Sequence, residues 1–362
     1  MNYDVFEIVK MVLISTLFVG LITPFIKKIA IHIGALDIPD KRKVHTEPIP
    51  RLGGLGVFLG LLLGYMLFGK QSILMNAILI ASFIIVITGM IDDIKPISAK
   101  TKFLGQIASA CIIVFYGNLL LKDMNFWGIN LDFGIFAYPI TIFFILGCIN
   151  CINLIDGLDG LSSGISGIYF LTIGIITTIK GNNDLAFVLC FVMLGCCIGF
   201  LFHNFNPAKI FIGDSGSMLL GLIISVVALL GFKTTTLSSL IIPLLVLAIP
   251  ILDTLFAIIR RKLKGESISK PDKFHIHHQL LNMNFNQRQT VIIIYIVDAL
   301  FAAASIIYAL GNPKFGYIIY GILLLIIVMF VSKTNVVIEH KTNIFDKIND
   351  KLFSKIKPVS KD

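Results

Sequence analysis

The stretch NCINLIDGLDGLSSG, residues 150–164, places two Asn and two Asp between long apolar runs. An ionisable side chain in or beside a transmembrane segment costs roughly 3 kcal/mol or more, so it is expected to face a partner, a metal ion or water. On a helix, Asn150, Asn153 and Asp156 recur every three residues and fall near one face. The stretch predicts a polar site at a membrane boundary, with an ordinary polar loop as the alternative.

The overall composition excludes a soluble globular protein. Of 362 residues, 56% are hydrophobic and 14% are charged, which predicts an all-α polytopic membrane protein. Asp4 and Glu7 near the start, with no small-residue cleavage site, predict a retained first helix and not a signal peptide. All six cysteines lie in apolar segments, so packing is favoured over zinc or redox chemistry, even for the C-x-x-C pair Cys148 and Cys151.

Apolar runs of spanning length predict eleven transmembrane helices. They cover residues 5–26, 52–69, 72–94, 103–121, 134–152, 161–180, 185–202, 216–232, 237–259, 290–310 and 314–332. We expect one transmembrane catalytic domain over residues 1–338. The tail, residues 339–362, alternates Lys, Asp and apolar residues, which predicts a basic amphipathic helix on the inner leaflet, with disorder as the alternative.

The positive charges are distributed unevenly between the two sides of the membrane. Twenty-four of the thirty Lys and Arg fall on one side, which predicts an outside N-terminus and a cytoplasmic C-terminus. The polar clusters lie on the same side, in loops 27–51, 93–102, 150–160, 203–217 and 260–289. We therefore expect one functional face at the cytoplasmic boundary, where the net charge of +9 suits anionic headgroups and phosphates.

The acidic residues of these loops suit a magnesium site. Mg²⁺ prefers one or two carboxylates completed by phosphate oxygens and water, and the candidates are Asp92, Asp93, Asp156, Asp159 and Asp214. The H-x-H-H sequence at 275–278 leaves zinc as an alternative, although neighbouring Arg, Lys and Ser favour a phosphate or sugar ligand. Basic side chains, His and a membrane-side approach together predict phosphoryl transfer from a diphosphate donor to a lipid acceptor.

Five motifs together resemble the polyprenyl-phosphate N-acetylhexosamine-1-phosphate transferases of glycosyltransferase family 4. They are D-x-P-x-x-R-K-x-H with P-x-P-R-x-G-G (37–54), Asp92-Asp93, N-x-x-N-x-x-D-G-x-D-G-L (150–161), N-P-A-x-x-F-x-G-D-x-G-S (206–217) and H-x-H-H (275–278). The resemblance implies an eleven-helix enzyme of the bacterial inner membrane with a cytoplasmic active site. It would move a sugar-1-phosphate from a UDP-sugar to undecaprenyl phosphate with Mg²⁺, or alternatively Mn²⁺, and release UMP.

The resemblance also implies roles for individual residues. Asp214 and Asp156 would bind the metal, and either Asp92 or Asp93 would deprotonate the lipid phosphate or, in a two-step scheme, act as the nucleophile. Asp156, His277 and His278 complete the implied catalytic group. The implied uridine pocket consists of Gly157, Leu158, Asp159, Asn204 and Phe211, the phosphate contacts of Lys43, His45, Lys102 and Asn153, and the sugar contacts of Arg260, Arg261, Asp272 and His275. Structural alternatives are a core role for Phe211, a helix cap for Asn204 and a snorkelling Lys102.

Two departures resemble the branch that transfers N-acetylglucosamine-1-phosphate to start wall teichoic acid, O-antigen or a similar polymer. The chain has P-R-L-G-G (50–54) and H-I-H-H (275–278), where the muramoyl-pentapeptide branch typically has P-T-M-G-G and three consecutive His. That branch is one alternative. A lipid-linked sugar transporter is another, but it predicts polar residues near the bilayer midplane. Membrane lipids are expected partners, nucleic acid is not, and a homodimer is left open.

Overall fold

A computed structural model of the chain describes residues 5–39, 47–126, 129–181, 184–232, 242, 244–263, 265, 275–311 and 313–333. Most of these residues are α-helical, and the prediction of an all-α polytopic membrane protein is confirmed. The helices are α1 (Val5–His32), α2 (Gly53–Phe68), α3 (Ile73–Ile94), α4 (Ala99–Cys111), α5 (Ala137–Ile155), α6 (Leu161–Lys180), α7 (Asp184–Asn204), α8 (Gly213–Phe232), α9 (Ala248–Leu263), α10 (Ile276–Asn282), α11 (Gln287–Leu310) and α12 (Pro313–Lys333).

A described helix overlaps each predicted span, but some bounds differ; for example, α1 continues to His32 and α9 covers Ala248–Leu263. Among the described helices, eight are long and apolar enough to cross a bilayer, while α2 has only 16 residues. α4 begins at Ala99, before the predicted start at 103, because the Ser98 hydroxyl accepts a hydrogen bond from the Thr101 N–H (3.2 Å) and caps the helix. It continues as one π-helical turn, Ile112–Tyr116. The count of eleven spans and the sides of the two termini stay predictions.

Two small antiparallel hairpins connect helices. β1 (Leu36–Asp37) pairs with β2 (Ile49–Pro50) after α1, and β3 (Asp123–Phe126) pairs with β4 (Ile129–Asp132) before α5. The sequence analysis predicted neither, because strands of two to four residues contain too few positions to display an alternating pattern. The first hairpin lies beside the candidate site.

Helices α1 and α7 pack closely through small residues. Gly195 and Gly199 on α7 are four residues apart, the small-xxx-small spacing that lets transmembrane backbones approach. A Cβ at Gly195 would lie 2.6 Å from the Val12 carbonyl oxygen, and one at Gly199 would overlap the carbonyl oxygen of Thr16. The Thr16 hydroxyl donates a hydrogen bond to the Gly195 carbonyl (3.1 Å). These contacts pack α1 and α7 backbone against backbone.

Helix α8 lies at the centre of the bundle and contacts α2, α3, α5, α6 and α7. The two residues before α8 are linked through the backbone to the end of β2 and to the first residues of α2. The Phe211 N–H donates to the Pro50 carbonyl (2.8 Å), and the N–H groups of Gly53 and Gly54 donate to the carbonyls of Phe211 (3.0 Å) and Ile212 (2.8 Å). Two distant motifs are therefore held side by side at the N-terminus of α8.

A second, smaller hydrophobic cluster lies apart from the main core. It joins the turn between α5 and α6 to α9, α10 and α11. Its buried members are Ile155, Leu158, Leu161, Ile165, Ile249, Leu280, Val291 and Ile294. The short helix that carries two of the predicted histidines therefore packs on this cluster.

Candidate functional site

The N-terminus of α8 is capped by a carboxylate from α3. The first N–H groups of a helix have no intrahelical acceptor. Asp93 accepts hydrogen bonds from the backbone N–H groups of Asp214 (2.9 Å) and Ser215 (3.1 Å) and from the Ser215 hydroxyl (2.8 Å). Gly213, just before them, has a φ of 70°, and a Cβ there would overlap the Asp93 carboxylate. Glycine is therefore needed at this position.

The Asp214 carboxylate receives donors from two other helices. Asn153 of α5 donates through Nδ2 to Asp214 Oδ1 (2.9 Å) and to the Ser217 hydroxyl (2.9 Å). Lys102 of α4 forms an ion pair with Asp214, and its Nζ lies 3.4 Å from Asn153 Oδ1. The ends of α4, α5 and α8 therefore meet at this carboxylate.

Lys102 also connects Asp214 to Asp92. Its Nζ lies 3.8 Å from Asp92 Oδ2, and the other Asp92 oxygen accepts a hydrogen bond from the Ile97 N–H (2.8 Å). The Asp92 side chain is 15% exposed, whereas that of Asp93 is 0% exposed. The two neighbouring carboxylates thus have different surroundings, since only Asp92 has surface open to a ligand.

Arg51 is a site residue that the sequence analysis missed. It belongs to the P-R-x-G-G motif, for which no individual role was predicted. Its Nη1 donates to Asp37 Oδ1 (3.1 Å), and its Nη2 lies 3.3 Å from Asp93 Oδ1 and 3.8 Å from Asp214 Oδ1. Burial lowers the pKa of the Arg51 guanidinium, but the surrounding carboxylates, Asp93 first, outweigh burial and raise this pKa above its ordinary value. Arg51 therefore stays charged.

Asp156 follows α5 and accepts a hydrogen bond from the Ser162 hydroxyl (2.6 Å). Burial first, and the charge on Asp214 in addition, raise the pKa of Asp156 to about 7 against the opposing effects of the Ser162 hydroxyl and Arg51. Its carboxyl is within electrostatic range of the Asp214 group. A carboxyl with a pKa near neutral is suited to exchanging a proton at physiological pH.

The donor set fits Mg²⁺. The described residues contain no cluster of three or more His, Cys, Asp or Glu placed to hold a metal by themselves. Mg²⁺ commonly takes only one or two carboxylates and completes its shell with phosphate oxygens and water. Asp214, with the Asp156 carboxyl within its electrostatic range, offers such an open set of oxygens to a phosphate-bearing ligand.

Two of the predicted uridine residues join loops within the protein. Asn204 Oδ1 accepts from the Gly160 N–H (3.1 Å) and the Ser163 hydroxyl (3.3 Å), while its Nδ2 donates to the Ile210 carbonyl (3.0 Å). Asp159 Oδ2 accepts from Asn206 Nδ2 (2.8 Å) and the Ala208 N–H (3.0 Å). Both side chains thus fix residues 206–210 against the turn between α5 and α6.

The other three uridine candidates differ in exposure. Leu158 is buried, Phe211 is half-buried and Gly157 is exposed. A cavity of about 720 Å³, bounded by the end of α1, by β2 and by residues 206–209, opens beside Asp159. Its volume lies within the range of ordinary small-molecule sites.

His275 and the start of α10 are held in place by Asp253, a second residue that the sequence analysis missed. Asp253 in α9 accepts from His275 Nδ1 (2.7 Å) and from the Ile276 N–H (2.7 Å), which starts α10. A Cβ at Gly157 would lie 2.6 Å from His277 Nε2, so His277 abuts the exposed turn after α5. The His277 and His278 ring centroids are 4.3 Å apart. The available signal for Asp253 was a carboxylate inside an apolar run.

Comparison with known proteins points to the same region of the chain as the candidate site. The family model "Glycosyl transferase family 4" matches residues 75–232, which contain Asp92, Asp93, Asp156 and Asp214. A probable undecaprenyl-phosphate N-acetylglucosaminyl 1-phosphate transferase of Bacillus subtilis is 41% identical over 92% of this chain and 94% of its own length. The chain belongs to glycosyl transferase family 4. The family resemblance predicted from the motifs is confirmed.

Further relatives of this family 4 protein carry related names. A decaprenyl-phosphate N-acetylglucosaminephosphotransferase of Mycolicibacterium smegmatis is 32% identical and covers 79% of both chains. An undecaprenyl-phosphate alpha-N-acetylglucosaminyl 1-phosphate transferase of Escherichia coli O157:H7 is 29% identical and covers 83% of both chains. These relatives extend well beyond the segment that the family model matches.

The remaining predicted residues of the family 4 site are Arg260, Arg261, Lys43, His45 and Asp272. Arg260 and Arg261, predicted to bind sugar, are buried in the last turns of α9, where guanidinium groups require acceptors. Lys43, His45 and Asp272 lie outside the described residues. The roles assigned to all of these side chains stay predictions.

Proposed function

We propose that this membrane-embedded protein transfers N-acetylglucosamine-1-phosphate from UDP-N-acetylglucosamine to undecaprenyl phosphate and releases UMP. An oxygen of the lipid phosphate attacks the phosphorus that carries the sugar. A new P–O bond forms, the bond from that phosphorus to the bridging oxygen breaks, and UMP leaves with the electron pair. The names of the relatives support the substrates. The observation that carries the proposal is the meeting of Asp92, Asn153 and Asp214 at Lys102.

Mg²⁺ would be held by Asp214 with Asp156, and it would neutralise charge on the diphosphate oxygens. Asn153 orients the Asp214 carboxylate, since its amide donates to one oxygen. Lys102 supplies a positive charge between Asp92 and Asp214, where a phosphate can replace a carboxylate as its partner. His277 lies against Gly157, close to the turn that carries Asp156, and is suited to contact the diphosphate.

Between the two candidate bases, the surroundings favour Asp92. Asp93 is fully buried and already accepts three hydrogen bonds from the start of α8. Asp92 is partly exposed and lies beside Lys102, so it can approach the phosphate of an acceptor lipid. We therefore assign proton removal to Asp92 and helix capping to Asp93.

The proposal includes a cytoplasm-facing site in the bacterial inner membrane. The excess of Lys and Arg on the side of the five motifs supports this orientation. The product would be a lipid-linked diphosphate sugar, and its consumers would be the transferases that extend a cell-envelope glycopolymer such as wall teichoic acid or O-antigen.

The test uses the purified full-length protein with undecaprenyl phosphate and a panel of UDP-sugars. We expect UMP and a lipid-linked N-acetylglucosamine diphosphate with UDP-N-acetylglucosamine, and no such product with EDTA present. Asp214→Asn should lower turnover by about 10³-fold or more, because it weakens the metal site. The control Asp184→Asn removes an exposed ion pair with Lys70 and should leave turnover unchanged. Full turnover in Asp214→Asn would contradict the metal assignment.

The same panel separates the alternatives. Product with UDP-N-acetylmuramoyl-pentapeptide and none with UDP-N-acetylglucosamine would move this chain to the other branch. If no UMP forms with any donor while a lipid-linked sugar crosses the membranes of proteoliposomes, a transporter would replace the enzyme.

A further inference from the structure

Arg51 bridges carboxylates that come from three different elements. Its guanidinium contacts Asp37 of β1, Asp93 of α3 and, at 3.8 Å, Asp214 of α8. Within the described part of the chain, it is the one cationic side chain paired with Asp93, because Lys102 pairs with Asp92 and Asp214. The two cations of the site thus share Asp214 but differ in their other partner, which is Asp93 for Arg51 and Asp92 for Lys102.

Asp93 depends on such a partner. Its side chain is fully buried, and a buried carboxylate is strongly unfavourable unless a cation and hydrogen-bond donors surround it. The donors come from the first turn of α8, through the N–H groups of Asp214 and Ser215 and the Ser215 hydroxyl. Arg51 supplies the compensating charge at 3.3 Å.

The backbone at Arg51 is itself fixed. The Arg51 N–H donates to the Ala35 carbonyl (2.9 Å), and the residue forms a parallel bridge with Phe211. The guanidinium is therefore presented from a rigid segment that is already bonded to the chain just before α8.

We propose that Arg51 is a positioning residue whose guanidinium balances the buried charge of Asp93 and thereby fixes the first turn of α8, which carries Asp214. The inference rests on the proposed function only for its kinetic consequence. Loss of Arg51 leaves Asp93 as a buried, uncompensated charge, so the cap on α8 weakens and Asp214 loses its orientation toward the reacting phosphates.

The first test is local hydrogen exchange on the full-length protein in detergent with EDTA. In Arg51→Met we expect the peptide over residues 213–218 to exchange faster by about tenfold or more, while the centre of α8 keeps its protection. Arg51→Lys, which keeps one charge but not the paired contacts to Asp37 and Asp93, should fall between Arg51→Met and the parent. The control Lys95→Met removes an exposed positive charge at the C-terminal end of α3, the helix that carries Asp93, and should exchange like the parent.

The second test is a thermal double-mutant cycle between Arg51→Met and Asp93→Asn. If Arg51 balances Asp93, the double variant should melt no lower than the less stable single variant, whereas independent roles give additive losses. Both tests are free of substrate, so they hold or fail separately from the proposed reaction. Additive losses, or unchanged exchange over 213–218, would overturn the inference.

Kinetics supply the third test. We expect Arg51→Met to lower kcat by about 30-fold or more with the donor KM changed less than about threefold, because the loss lies in the orientation of the reacting groups. A KM rise at constant kcat would show that Arg51 instead binds the donor, and would overturn the positioning role.

Discussion

The two sides of the candidate site are held by different means. The carboxylate side, defined by Asp92, Asp93 and Asp214, is built into the main core at the crossing of α2, α3 and α8. Backbone hydrogen bonds join the loop after α1 directly to the residues before α8. Its geometry therefore follows from the packing of the transmembrane helices.

The histidine side, defined by His275, His277 and His278, depends on fewer contacts. Its helix α10 has seven residues, packs on the smaller hydrophobic cluster, and is joined to α9 through the carboxylate of Asp253. This difference predicts that substitutions on the two sides will affect stability and activity in different proportions. Changes on the carboxylate side should reduce stability and activity together, and changes on the histidine side should reduce activity more than stability.

The largest effect is expected where the backbones of α2 and α8 touch. A Cβ at Gly54 would overlap the backbone nitrogen of Gly216, and neither backbone can move without breaking the links to Ile212. We expect Gly54→Ala to cost about 3 kcal/mol or more and to lower the melting temperature by roughly 10 °C, with activity lost. Gly147→Ala is the control, since nothing lies within 4 Å of that Cβ. Equal melting temperatures for Gly54→Ala and Gly147→Ala would show that the contact between α2 and α8 is not rigid.

Asn204 offers a sharper test, because it joins the turn after α5, which His277 abuts, to the residues before α8. Asn204→Ala removes three hydrogen bonds from a buried amide and leaves the Ile210 carbonyl without this donor. We expect a loss of about 2 kcal/mol, a melting temperature lower by roughly 5 °C and a raised donor KM. Asn76→Ala, on the exposed face of α3, is the control. A parent-like KM in Asn204→Ala would separate this residue from the donor pocket.

The sequence predicted the helices well because lipid imposes a simple rule on apolar runs. Its errors are local. The early start of α4 depends on one serine cap, and the hairpins depend on hydrogen bonds between segments of two to four residues. Such short-range geometry leaves little trace in hydrophobic periodicity.

For the site, sequence reasoning proposed the carboxylates and histidines but not the residues that hold them. Arg51 and Asp253 act through partners that are distant in the chain, at Asp93 and His275, and a single sequence contains no record of such pairings. The different surroundings of Asp92 and Asp93 were equally hidden, because adjacent residues on a helix point in different directions.

Removing the link to α10 should affect the histidine side alone. In Asp253→Asn the amide still accepts from the Ile276 N–H, but the charge-assisted bond to His275 is lost. We expect a melting temperature lower by only about 3 °C, turnover reduced by roughly tenfold or more, and faster hydrogen exchange over residues 276–282. The peptide over residues 213–218 is the internal control. Faster exchange in both peptides would mean that the two sides are not held separately.

The smallest effect on stability is expected at Gly157, where the histidine side meets the turn that carries Asp156. A Cβ there would lie 2.6 Å from His277 Nε2, and the imidazole can move aside because it ends a flexible side chain. Gly157→Ala should therefore shift the melting temperature by less than about 2 °C while turnover falls by roughly tenfold, since displacement of a reacting group by about 1 Å is costly. Gly167→Ala is the matched control, because its Cβ would meet only Cys197 at an ordinary 3.6 Å. If Gly157→Ala retains full turnover at an unchanged melting temperature, His277 does not act at this turn, and the catalytic role of the histidine side would have to rest on His278.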